Sequence, residues 1–164
     1  MVMRMQGLVI VAVILAVSPG EPLFAQTATQ VVQFQVNAIN QIGVSGSPAP
    51  LVINSATAGS APASVTAGGT SYAITTNETN KKITAAIDQS LPAGVLLEVS
   101  LAAPTGAASL GEVTLTTAPT DVVTGISATS GSSLAITYRL SATATVQMPT
   151  PATRTVTFTV VSGS

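Results

Sequence analysis

Apolar residues recur at every second position along much of this chain, and that rhythm constrains the fold more than any other feature. Over residues 29–36, Val32, Phe34 and Val36 fall on one side and Gln33 and Gln35 on the other, as in a strand with one face covered. Ile42 and Val44 carry the alternation onward after residues 37–40, where a bend or bulge is expected. Further strands are expected over residues 50–54, 71–76, 82–88, 95–101, 112–116, 134–142 and 153–161. Turn-forming clusters separate them, among them Ser45-Gly46-Ser47-Pro48, Ala67-Gly68-Gly69, Pro92-Ala93-Gly94, Pro104-Thr105-Gly106 and Gly131-Ser132-Ser133. Strands at this spacing predict an all-β fold, a single Ig-like antiparallel β-sandwich of about eight or nine strands. A true immunoglobulin domain is not expected, because the Cys–Trp–Cys pattern is missing.

Alanine is abundant and favours helices, yet it stands beside Thr, Ser, Gly and Pro. No stretch of a dozen residues sustains a 3.6-residue apolar period. The β-branched Thr and Val are stiff at χ1 and suit a pleated surface better. No long helix is expected. The alternation assigns the core to Val32, Phe34, Val36, Ile42, Val44, Ile53, Tyr72, Ile74, Ile83, Ile87, Val95, Leu97, Val99, Leu101, Val113, Leu115, Leu134, Ile136, Tyr138, Leu140, Val156, Phe158 and Val160.

Residues 1–25 read as a secretory signal peptide. Arg4 supplies a basic start, and an apolar run over residues 7–17, too short to span a bilayer, ends at Ser18-Pro19-Gly20. Leu23 and Ala25 occupy the minus-three and minus-one positions of a cleavage site, so one β-sandwich domain is expected over 26–164. No Cys follows the apolar run to carry a lipid, and no second run of membrane length appears. The expected location is therefore secreted, at the cell surface or extracellular, with periplasmic transit where the envelope has two membranes.

A chain of this length buries roughly two thirds of its unfolded surface, so packing suffices for stability without disulfides. The absence of Cys makes that necessary. There is also no His and no Trp, and that bears on function. A Ser or Thr nucleophile needs a base, and of Lys81 and Lys82 neither lies three residues after a Ser. Asp88 and Glu98 flank one turn as a nominal carboxylate pair, but Phe34, Tyr72, Tyr138 and Phe158 are read as core, which leaves no aromatic platform for a sugar. Zinc has no Cys or His to bind, and the five acids after residue 25 are too scattered for a calcium loop, which leaves at most a weak site at Asp121 or Glu112. No nucleotide-binding glycine loop exists. No catalytic, cofactor-binding or metal-binding residues are assigned, and no cofactor is expected.

Charge is nearly balanced after residue 25: Lys81, Lys82, Arg139 and Arg154 against Glu78, Asp88, Glu98, Glu112 and Asp121. Without a basic patch, nucleic acid is not an expected partner. Lys81 and Lys82 are read as solvated turn residues, and Asn77-Glu78-Thr79 as a polar turn that also matches a glycosylation sequon. So weakly charged a surface is poorly protected against self-association.

Residues 26–36 carry no charge and alternate cleanly, which makes Val32, Phe34 and Val36 the candidate donor or edge strand. Two placements are open: pairing inside the chain's own sandwich, or insertion into a neighbouring copy. The all-β layout, the Ala/Thr/Val-rich composition and the closing strand Arg154-Thr155-Val156-Thr157-Phe158-Thr159-Val160 resemble bacterial secreted sandwich proteins of the spore-coat-U and pilin-like kind. That resemblance implies a surface or appendage subunit. The chain lacks the Trp-x-Leu signature of related wall-binding domains and the paired cysteines of chaperone-dependent pilins, so neither wall attachment nor a conventional chaperone-dependent pilus is carried over. The expected function is a non-catalytic structural subunit, self-associating into a filament or matrix through β-strand pairing. The alternatives are an adhesin or module that binds a glycan or cell-surface protein through loops at 55–70 and 116–133, and an ice- or surface-binding array built on Thr114, Thr116, Thr155, Thr157 and Thr159.

Overall fold

A computed structural model describes residues 26–163. The expected signal peptide lies outside the described residues. The chain divides into two compact units, Met1–Gln35 and Val36–Ser164. In the first, described residues 26–35 form no regular element and are exposed. The second holds nine strands: β1 (Asn40–Ser45), β2 (Val65–Thr76), β3 (Lys81–Ile87), β4 (Val95–Leu101), β5 (Ala108–Ser109), β6 (Val113–Thr114), β7 (Thr120–Ile126), β8 (Thr129–Ala142) and β9 (Val156–Ser162). Among the described residues there is no helix, so none that could cross a membrane.

The strands form two antiparallel sheets, one ordered β1-β2-β8-β4-β6 and the other β5-β7-β3-β9. Their inner faces share one core. Tyr72, Ile74, Val99, Leu101 and Ile136 from the first sheet meet Ile83, Ala85, Ile87, Val122, Val123 and Ile126 from the second, with Leu115 and Tyr138. The all-β sandwich expected from the alternation is the fold observed. β4 matches the expected span residue for residue, and β3, β8 and β9 differ from theirs by a few residues at their ends.

Five expectations are corrected. Residues 29–36 are not in a strand, and Val32, Phe34 and Val36 are exposed rather than core. Residues 50–54 form no strand either; Pro50 has no N–H to give a ladder, and the nearest pairing is a single bridge between Ala56 and Pro62. Val44, assigned to the core, is 52% exposed at the outer edge of β1. Residues 116–133 are not one loop, since they contain β7 and the start of β8. β7 escapes a period-two reading because its register against β3 shifts twice around Ile83, which lets the consecutive Val122 and Val123 both be fully buried. Likewise 55–70 is shortened by β2, whose first half kinks between Ala67 and Thr70. That kink lies beside Gly46, whose backbone is left-handed at φ +81° and approaches Gly69 so closely that a Cβ would sit 2.7 Å from its carbonyl oxygen.

Candidate assembly surface

The two sides of the sandwich differ. On one, the chain passes from β5 in the four-stranded sheet through residues 110–112 to β6 in the five-stranded sheet, so both edges there are two-residue strands tied by one short turn. On the other, the edges are β1 and β9, six and seven residues long, and they lie against each other across the sandwich. Long free edges are templates for another strand.

Both long edges are finished by an Asn or Asp side chain acting as a backbone carbonyl. The Asn77 N–H donates to the Ile39 carbonyl at 3.3 Å, and the Ile39 N–H donates back to Asn77 Oδ1 at 2.8 Å. At β9, the Asp88 N–H donates to the Thr155 carbonyl at 3.1 Å, and the Thr155 N–H donates to Asp88 Oδ1 at 3.0 Å. Asn77 also donates through Nδ2 to the Asn37 carbonyl at 2.8 Å. The sequon asparagine is thus a clamp on the chain entering β1. Asn40 donates to the Glu78 carboxylate, and Lys81 pairs with it at 3.0 Å. The Asn40 hydrogen bond, followed by that from Lys81, holds the Glu78 carboxyl below its ordinary range.

These bonds fix the polarity of the edge. Pairs in an antiparallel ladder alternate between exchanging hydrogen bonds and not. Thr155 with Asp88 and Gly163 with Asn80 are bonded pairs, in the same register that sets Phe158 against Ala85. Val156, Phe158 and Val160 therefore turn their N–H and C=O groups away from β3, toward the free flank. Their side chains pack against the core but are only partly covered.

The candidate donor ends where the Asn77 clamp begins. Val31 is 96% exposed, Val32 71%, Phe34 88% and Val36 77%. A run of large apolar side chains left in water on an uncharged segment is unusual for a monomer surface.

Charged side chains elsewhere are paired with one another or with the backbone. Lys81 and Lys82 are not free turn residues: both open β3 with side chains mostly covered, and Lys82 pairs with Asp121 at 3.0 Å. Arg139 on β8 reaches Glu98 at 3.2 Å and Glu112 at 3.0 Å. Asp88 follows β3 in one sheet and Glu98 sits on β4 in the other, and each has its own partner, the Thr155 N–H and Arg139. No group of three or more His, Cys, Asp or Glu that could hold a metal occurs among the described residues. A recess of about 220 Å³ lies at one end of the sandwich, lined by Ile87, Leu91, Val95, Leu115 and a few hydroxyls. It is smaller than the roughly 300–1,000 Å³ of ordinary ligand sites. Thr114 and Thr157 lie in different sheets, so the Thr pairs form no common array. Comparison with protein-family models, curated proteins and solved structures finds nothing that matches this chain.

Proposed function

We propose that this chain is an exported, non-catalytic structural subunit that joins copies of itself into a surface or extracellular filament or matrix, through β-strand pairing of residues 26–36. One observation carries the reading: the exposure of Val31, Val32, Phe34 and Val36 on a segment that alternates like a strand yet belongs to no sheet. Covering a Val or Phe side chain contributes about 1.5–3 kcal/mol, so a segment with four of them in water has a strong drive to find a partner. Strand addition supplies one, with main-chain bonds for affinity and alternate side chains for fit. The pairing of every acidic side chain among the described residues with a neighbour, and the small size of the recess, support a structural rather than a chemical role.

Negative-stain electron microscopy of the purified protein tests this. Regular fibres or sheets that lengthen with concentration are the expected result. Uniform single particles at all concentrations would overturn the proposal.

A further inference from the structure

We propose that residues 31–36 of one copy add antiparallel to the free flank of β9 in a second copy, with Phe34 opposite Phe158. This rests on the reading that residues 26–36 pair with another chain, and it names the acceptor and the register.

The first support is sequence. β9 begins Val156-Thr157-Phe158-Thr159-Val160-Val161, and residues 36 back to 31 read Val36-Gln35-Phe34-Gln33-Val32-Val31. An antiparallel alignment therefore sets Val36 against Val156, Gln35 against Thr157, Phe34 against Phe158, Gln33 against Thr159, Val32 against Val160 and Val31 against Val161. Polar meets polar and apolar meets apolar at all six positions. The parallel alignment that keeps Phe34 on Phe158 loses the sixth, placing Val31 against Thr155. Aromatic and β-branched pairs directly opposite one another are stabilising units of a sheet.

The second support is the edge itself. The residues whose backbone groups face the free flank, Val156, Phe158 and Val160, are the ones whose side chains are half-covered at the core margin. A strand bonded there presents Val32, Phe34 and Val36 to the same side, extending the core over them. Neither strand carries a charge, so the pairing desolvates no ion.

The other edges fit less well. β5 and β6 are two residues long. β1 offers only Ile42 and Val44 at the corresponding positions, and begins with Asn40, whose side chain is already bound to Thr76 and Glu78.

Mixed disulfide trapping tests the assignment, because the chain has no cysteine of its own. One batch carries Gln33→Cys and another Thr159→Cys. In the proposed register these form a non-hydrogen-bonded pair on the outer face, with Cα atoms about 4.5 Å apart, inside disulfide range. Oxidising the mixture should give a covalent dimer, on the order of tenfold above mixtures of Gln33→Cys with Thr157→Cys or with Gly43→Cys on β1. Preferential linkage to either control, in an assembly that still forms, overturns the acceptor and register while leaving strand pairing intact. Linkage found only when both cysteines share one molecule overturns the second-copy assignment. Sedimentation of the unmodified protein separates these from a deeper failure, since a monomer at every concentration removes the underlying reading as well.

Discussion

Asn77 and Ile39 form a reciprocal pair in which the carboxamide oxygen of Asn77 takes the place of a backbone carbonyl. The sheet is thereby extended by one rung past the register partners Asn40 and Thr76. The exposed residues 31–36 end just before this rung, so the clamp marks where the chain enters its own sheet.

Asn77→Ala removes the side-chain bonds to Ile39 and Asn37 while leaving the strand backbone in place. Exposed hydrogen bonds contribute at the low end of about 0.5–1.5 kcal/mol each, so stability in urea should fall by about 1 kcal/mol. The Ile39 amide should exchange with solvent at a much higher rate while the β2 and β8 amides stay protected. An Ile39 amide that exchanged only through global unfolding, at a rate unchanged by the substitution, would contradict the clamp.

Val122→Ala and Val123→Ala should each destabilise the fold by about 2 kcal/mol. In a regular strand one of two neighbours faces solvent and its truncation is nearly neutral. Here the shifted register between β3 and β7 buries both. Urea denaturation of the two variants tests this; a cost confined to one of them would mean the strand is regular.

Gly46→Ala and Gly59→Ala differ in what surrounds them. Both glycines have φ near +80°, at +81° and +83°, but a Cβ at Gly46 would meet the Gly69 carbonyl at 2.7 Å while nothing lies within 4 Å at Gly59. Gly59→Ala should cost about 1 kcal/mol of backbone strain, and Gly46→Ala clearly more, because the β1–β2 edge must also move. Thermal midpoints of the two variants should separate in that order.

The hydroxyl of Tyr72 donates to the Ala102 carbonyl at 2.5 Å, and burial pushes its pKa up to about 12. Burial raises Tyr138 as well. A free tyrosine titrates near 10. Because the folded state holds these protons more tightly, the stability both groups contribute is complete below pH about 10 and is lost above it, Tyr72's share as pH rises through about 12. These are the only tyrosines, so tyrosinate absorbance reports on them alone. It should rise together with loss of the fold; titration near pH 10 with circular dichroism unchanged would contradict their burial.

Period-two patterning located most of β3, β4, β8 and β9 because apolar residues recur there at alternate positions: Ile83, Ala85 and Ile87; Val95, Leu97, Val99 and Leu101; Leu134, Ile136, Tyr138 and Leu140; Val156, Phe158 and Val160. It missed β7, where Val122 and Val123 break the alternation, and β5, where Ala108-Ser109 is too short to show any period. It also placed residues 29–36 in the chain's own sandwich as one of two options, since alternation shows that a run suits a pleated surface and not whose surface that is. The match on which the proposed acceptor rests is present in the letters, since Val31–Val36 read backwards repeats the pattern of β9. That β9 is an edge, with the backbone groups of Val156, Phe158 and Val160 toward the free flank, is visible only in the fold.

The most direct test of the central claim is sedimentation velocity on the protein and on a variant lacking residues 26–36, both checked for β-structure by circular dichroism. The intact protein should sediment as a concentration-dependent series of large species, and the shortened chain as a folded monomer. An intact protein that stays monomeric, or a shortened chain that assembles equally well, would contradict the account.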